Sequence, residues 1–275
     1  MLEKSSLADD ATGRVEALFF KTDRSLPMTR LVEGAMPLRA GFGIEGDVNA
    51  NPMSPRQVLL TRAEDLQYFN IAPGALRENI VVAGLAADLF IPGAELAIGN
   101  DVQVRLTLYC EPCKRIGHLI SSYRAIFERR GVLGVVLSGG TVRESDAVRS
   151  RPGAFPSLPF LPFARFLQFV ARIPASRVVT YRDVTVGMGV AEGFARAIPG
   201  YIRRADSGYP VHRILDSHGA LIGHVQNQRA RLESEGVQVQ HAASLFVGES
   251  AEEAPLFYVD VARYAWSDET IFMLP

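Results

Sequence analysis

Four prolines stand between residues 149 and 162 (RSRPGAFPSLPFLP), and this short stretch limits the possible folds more than anything else in the chain. Each proline ring fixes φ near about −65° and removes a backbone donor, so the segment suits neither a helix interior nor a central strand. The hydrophobic pattern also changes across it. Upstream, GRVEALFF (Gly13–Phe20), QVLLT (57–61) and DVQVRLTLY (101–109) are short apolar or alternating runs, separated by glycine turns such as AGFGIEGD (40–47). That pattern predicts strands with two short helices, over 62–69 and 121–130. Downstream, FARFLQFVAR (163–172) carries Phe166, Phe169 and Val170 at helical spacing, and a short helix after Thr180, a Gly187-Met188-Gly189 turn and a longer helix over 192–205 follow. The expected organisation is a mostly β domain over 1–150, a linker over 151–162, and a small α or α+β domain with a helix-turn-helix over 163–275.

A chain of 275 residues is long enough for two such cores. No run approaches the ~20 apolar residues of a membrane helix, and the opening MLEKSSLADD lacks the basic and apolar regions of a secretion signal. Two cysteines, Cys110 and Cys113, cannot make a disulfide framework and suit a reducing compartment. These readings point to a cytoplasmic protein without a membrane partner. The net charge of −1 hides an asymmetry: residues 151–231 hold eleven arginines, no lysine and four acids, whereas 232–275 hold eight acids and one arginine. A basic stretch followed by an acidic tail fits either a nucleic-acid footprint or ordinary solvated surface.

The strings GIEGDVNANPMSPRQVLL, LRENIVV, CEPCKRIG and GVLGVVLSGGTVRESD, in that order, resemble a MOSC domain, the module shared with molybdenum-cofactor sulfurases and amidoxime-reducing proteins. The resemblance implies a β-barrel that holds the molybdenum cofactor (molybdopterin). It makes Cys113 the catalytic residue and metal ligand. Two cations beside it, Lys114 and Arg115, favour the anionic sulfur that a soft metal prefers. Arg56, Arg77, Asn79 and Lys114 are expected to hold the cofactor's phosphate and polar edges, since a guanidinium matches phosphate geometry. Arg56 and Arg77 equally suit structural ion pairs, and Asp47 is expected to shape its turn. A Cys-x-x-Cys without further ligands is no zinc cage.

Beyond the linker, TYRDV, GFARAI, YPVHRILDSHGALIG, RARLESEGVQV and VDVARYAW resemble the DNA-binding domain of O6-alkylguanine-DNA alkyltransferases and, in the last string, the alkyltransferase-like proteins. Such proteins must extrude a damaged guanine from the duplex. The resemblance implies that Tyr181 crowds a phosphate and that Arg196 fills the vacated stack, although a longer turn leaves Ala195 as an alternative for that place. It also implies that His212 and a glutamate, Glu235, form the base and orienter of a nucleophile relay. The nucleophile is missing, because Val211 stands where the transferases carry cysteine and their non-enzymatic relatives carry tryptophan. Tyr181, Arg196, Val211, His212 and Arg213 are therefore the expected DNA-binding residues. His212 also suits a structural role.

Together these features predict a molybdenum-cofactor-binding protein that recognises modified purines, expected in DNA, and reduces or detoxifies N-hydroxylated or alkylated bases without alkyl transfer, using an electron-transfer partner. Two other readings remain open. One is a non-enzymatic O6-alkylguanine sensor for excision repair with a separate sulfur-carrier domain. The other is a sulfurtransferase whose second domain only supports oligomerisation.

Overall fold

The computed structural model describes residues 12–241, 257–267 and 272, and the chain divides into two compact units, residues 1–158 with 269–275 and residues 159–268. The break at Leu158/Pro159 falls inside the proline-rich segment. Of the acidic tail, Glu249, Glu252, Glu253, Asp268 and Glu269 lie outside the described residues.

Unit 1 is a closed β-barrel. Its strands are β1 (Gly13–Phe20), β2 (Thr29–Arg30), β3 (Met36–Arg39), β4 (Gly43–Ile44), β5 (Val58–Arg62), β6 (Ile80–Ala83), β7 (Glu95–Ile98), β8 (Val102–Tyr109), β9 (Val132–Ser138), β10 (Gly140–Val142) and β11 (Ala147–Arg151). The ladder runs β11-β7-β8-β9-β5-β6-β1 and closes because β1 also pairs with β11, Gly13 opposite Val148. Closure removes the free edges from this seven-strand ladder, and β10, β3 and β4 form a separate small sheet. The pair β5–β6 is parallel and the other barrel pairs are antiparallel. Alternate residues of β1, β7 and β8 point inward, so Val15, Leu96, Ile98, Val104 and Leu106 fill the interior. This is the period-two pattern of the sequence made three-dimensional. At Gly131 a side chain has no room: a Cβ would lie 2.4 Å from the Leu60 carbonyl oxygen.

Two short helices flank the barrel, α1 (Ala63–Tyr68) and α2 (Tyr123–Ile126). The second is shorter than the helix predicted over 121–130. Glu128 lies at φ 69°, a left-handed conformation that a right-handed helix cannot contain.

Unit 2 contains α3 (Pro162–Val170), β12 (Val179–Thr180), α4 (Tyr181–Gly187), α5 (Ile198–Arg204), β13 (Ile214–Leu215), α6 (Gln228–Ser234), β14 (Val239–His241), β15 (Phe257–Val259) and α7 (Val261–Tyr264). Pro162 at the first turn starts α3, where a missing N–H costs nothing. Its apolar face buries Phe166, Phe169 and Val170 as the spacing predicted. A reciprocal capping box starts α4: Thr180 accepts from the Asp183 amide and Asp183 accepts from the Thr180 amide.

The longer helix predicted over 192–205 is two pieces. Residues 192–197 form a 3-10 helix, and α5 begins only at Ile198 with Pro199 in its first turn. Pro199 has no amide to extend an α-helical ladder back into the preceding residues. Tyr201 of α5 packs 5.1 Å from Phe163, 5.6 Å from Phe166 and 5.9 Å from Phe194, which fixes this second helix of the pair against α3.

Candidate functional sites

In unit 1 the two cysteines sit just past the end of β8. The Cys110 amide donates to the Gly131 carbonyl and its thiol is fully buried. Arg130 Nη1 lies 2.8 Å from Cys110 Sγ and also donates to the Glu111 carbonyl, while Arg56 Nη2 lies 3.9 Å from the same sulfur. Burial pushes the Cys110 thiol up, and the two guanidiniums oppose that shift. Cys113 is half-buried at the start of a 3-10 helix (Lys114–Leu119), which is anchored by buried Ile116.

Three cations, Lys21, Arg77 and Arg115, interact electrostatically in this region, and Arg77 also interacts with Cys113. Lys21, at the exit of β1, is only 4% exposed. Burial lowers its affinity for a proton, and Arg77 and Arg115 lower it further. Arg77 is disfavoured as a cation first by burial and then by Arg115, with Cys113 acting in the other direction. Its backbone is left-handed at φ 67°, a conformation that costs an arginine of order 1 kcal/mol and tends to persist where it aims a functional group. Buried Lys21, half-buried Arg77 and exposed Arg115 act on one another, Asp23 and Asp47 offset the charge at Lys21, and an anion beside Arg77 would be favoured. That arrangement fits a phosphorylated, thiolate-bound cofactor. Among the described residues no three His, Cys, Asp or Glu side chains gather into a metal cage.

The residues predicted from sequence fall into different positions here. Arg77 and Cys113 belong to the cluster, and Lys114 is exposed beside them. Arg56 is engaged by Cys110 and by Glu111, at 3.9 Å. Asn79 is fully occupied inside the barrel wall: its Oδ1 accepts from the Leu59 amide at 3.0 Å, and its Nδ2 donates to the Phe19 carbonyl and to Asp47 Oδ2, each at 3.2 Å. Asp47 in turn accepts from the Lys21 and Asn49 amides, which shapes the turn as expected. Sequence reading named Arg115 beside Cys113 and missed Lys21, which the fold relates to Arg77 and Arg115, and Arg130, which lies against Cys110.

In unit 2 the residues Val211–Arg213 form a 3-10 turn that leads into β13, itself paired in parallel with β12. Gln228 of α6 fastens this turn from inside, donating to the His212 and Ile214 carbonyls at 3.0 and 2.7 Å and accepting from the Ile222 amide at 2.6 Å. His212 is 3% exposed, and its Nε2 lies 2.7 Å from Glu235 Oε1. Arg213 grips both oxygens of Glu235, Nε at 3.1 and 3.0 Å and Nη2 at 2.7 Å, and Ser176 donates its amide to Oε2 at 3.2 Å. Burial pushes the Glu235 carboxyl up, but the hydrogen bonds from Arg213, His212 and Ser176 outweigh it and hold the group at about 2. For His212 burial prevails over the attraction of Glu235, and its proton affinity is lowered. Nε2 faces a carboxylate that can only accept, so this nitrogen carries a proton and donates to Glu235. His212 and Glu235, expected as base and orienter, lie within hydrogen-bond distance, and Val211 before them carries no group that a base could activate.

Arg213 has a bracing geometry, since its remaining nitrogen Nη1 donates to the Ile173 carbonyl at 2.5 Å. Tyr181 opens α4 half-buried; burial and Asp216 raise its hydroxyl, and Arg203 works in the opposite direction. Arg196 is exposed on the 3-10 helix and Ala195 is half-buried beside it. Arg177, Arg182, Arg203 and Arg204 are exposed as well. Gln228 carried no signal in the sequence, because its role depends on three backbone groups from separate segments.

Residues 48–149 match the family profile of the MOSC domain, and residues 162–237 match that of the 6-O-methylguanine DNA methyltransferase, DNA binding domain. The chain is thus a two-domain protein, a MOSC barrel followed by an alkyltransferase-like DNA-binding domain. Similar solved structures include the YuaD protein from Bacillus subtilis (18% identity, 52% of this chain and 97% of that one, TM-score 0.44) and YiiM from Escherichia coli (15% identity, 68% and 91%, TM-score 0.40). Atl1 of S. pombe, in complex with damaged DNA containing O6-carboxymethylguanine, is similar at 22% identity over 39% of this chain and 95% of that one, with a TM-score of 0.32. No curated protein matches the chain.

Proposed function

We propose that unit 2 binds DNA carrying a modified guanine or other purine, holds the extruded base beside Val211 and transfers no alkyl group. Unit 1 binds the molybdenum cofactor and converts an N-hydroxylated or alkylated base, with electrons from a partner protein, in a reducing, cytoplasmic setting. The observation that carries this reading is Val211 ahead of a complete His212–Glu235–Arg213 relay. A pocket that keeps the relay and lacks the sulfur can bind a lesion without being consumed by it. Exposed arginines around α4 and α5 supply phosphate contacts, and Tyr181 with Arg196 displaces and replaces the base.

In unit 1, Cys113 would ligate the metal, while Lys21, Arg77 and Arg115 would neutralise the cofactor's phosphate; Arg56 and Lys114 stand at the periphery and Asn79 keeps the wall in place. Bound molybdenum supplies two-electron chemistry. For a hydroxylamino group the balance is two electrons and two protons in, an N–O bond broken, an amine and a water out.

Purified protein titrated with duplexes bearing guanine or O6-alkylguanine across a salt series tests the DNA-binding half. A lesion preference that persists while overall affinity falls with salt supports it, and equal binding to both duplexes rejects it. Molybdenum content lost in Cys113→Ser supports the cofactor half, whereas protein expressed with cofactor that carries no molybdenum rejects it. The missing nucleophile also favours a second reading, a non-enzymatic lesion sensor with a separate MOSC function; under it, no base is altered by the molybdenum-loaded protein given a reductant.

A further inference from the structure

A cavity of about 160 Å³ in unit 1 has no part in the function proposed above. Tyr109 at the end of β8, Phe90 and Asp65 of α1 line it, together with Glu128, Arg129 and Arg62. Phe90 is 4% exposed and Asp65 9%, so a ring and a carboxylate form its floor. Glu128 and Ala87, both exposed, stand at its rim. A cavity of roughly 150 Å³ takes one benzene molecule, so this space suits a single small ring with one substituent.

The charged groups decide what such a ring can carry. Arg62 is fully engaged: Nε donates to the Leu85 carbonyl at 2.8 Å and Nη1 to Asp65 at 3.3 Å, while Nη2 lies 3.5 Å from Glu64. Arg129 lies over the Tyr68 ring at 4.6 Å and reaches Asp65 only at 3.9 Å. The carboxylates are less well supplied. Both ion-pair contacts of Asp65 are longer than charge-assisted hydrogen bonds prefer, and burial raises its carboxyl against the pull of the two guanidiniums. Glu128 makes no ion pair with any described residue. Its left-handed backbone, at φ 69°, holds it beside Tyr109, close enough to act on the phenol hydroxyl. Two aromatic rings and two under-supplied carboxylates around one small space favour a cation with an apolar body, through charge attraction and through the negative face of each ring.

We propose that this cavity is a binding site for a small organic cation, a primary ammonium or amidinium carried on a single ring, with the ring against Phe90 and Tyr109 and the cationic group at Asp65 and Glu128. None of its residues belongs to the set expected to hold the molybdenum cofactor, so the site stands whether or not that cofactor binds. It nonetheless adjoins the buried sulfur of unit 1 along the chain, since Tyr109 directly precedes Cys110, and Arg129 and Gly131 flank Arg130.

The experiment titrates the full chain with benzylammonium, benzyl alcohol and benzoate, which share a ring and differ in charge, and follows binding by ligand-observed NMR. Benzylammonium should bind about tenfold more tightly than benzyl alcohol, with benzoate the weakest of the three. Ala87→Phe, which fills the rim, should abolish that binding, and Glu128→Gln should cut the preference for the ammonium by about threefold. No binding of benzylammonium, equal affinity for the three probes, or a preference for benzoate overturns the proposal. So does binding that Ala87→Phe leaves unchanged. Should that variant fail to fold, Glu128→Gln at its exposed position decides: a reduced preference for the ammonium supports the site, and an unchanged one overturns it.

Discussion

Two residues that look alike in sequence, each a polar side chain in a family motif, do different work in the barrel. Asn79 closes three hydrogen bonds between strands and the Asp47 turn, whereas Arg77 holds an uncommon backbone conformation beside Cys113. Asn79→Ala takes the acceptor from the buried Leu59 amide and one donor each from the Phe19 carbonyl and Asp47, and should destabilise unit 1 by about 2–4 kcal/mol in chemical unfolding. Arg77→Met should leave that transition near its wild-type midpoint and lower the molybdenum content instead. At the other site, acid separates the roles of His212 and Glu235. Both have folded-state proton affinities below their unfolded values of 6.5 and 4.5. Their contributions are therefore fully present above the unfolded values and decline on acidification, His212 first below 6.5 and Glu235 between 4.5 and about 2. Unit 2 should lose up to about 3 kcal/mol through Glu235 alone, and Glu235→Gln should flatten the acid limb of a stability-against-pH curve. The residues legible in sequence were those in contiguous motifs, Cys113, Tyr181, Val211 and His212. Lys21, Arg130 and Gln228 were not, because their importance lies in partners on other segments of the chain.

Elements show the same division. The three strands read from the sequence, over 13–20, 57–61 and 101–109, stand as β1, β5 and β8 within one residue of those bounds, although β5 is buried on both faces. The helix predicted over 192–205 fails at Pro199 because periodicity counts side chains and takes no account of missing amides. The pairing of α3 with α4 depends on a glycine. A Cβ at Gly187 would fall 1.9 Å from the Phe169 ring, which is itself buried against Trp266 at 5.6 Å. Gly187→Ala should therefore push α4 off α3 and destabilise unit 2 by about 1–3 kcal/mol. A thermal unfolding scan that shows no loss would mean the ring can move aside.

At the scale of the whole chain, the two functional halves should be separable by mutation. Cys113→Ser should leave lesion binding and its salt slope unchanged. Tyr181→Ala with Arg196→Ala should weaken duplex binding by about tenfold or more and reduce the salt slope by about one phosphate contact, with molybdenum content retained. A variant that impairs both readouts would argue against independent sites. No helix among the described residues is long and apolar enough to cross a membrane, and the basic stretch read from sequence sits largely on exposed positions of unit 2. The sequence pattern marked the two-part organisation because proline placement and hydrophobic period change together at one point. It carried no sign of where the chain's far end belongs.

That end has a practical consequence. Arg105, 1% exposed inside the barrel wall, donates to the carbonyls of Pro156 and Phe272, each at 2.9 Å. A change that moves Phe272 would therefore be felt in the barrel, far along the sequence from the strand it disturbs.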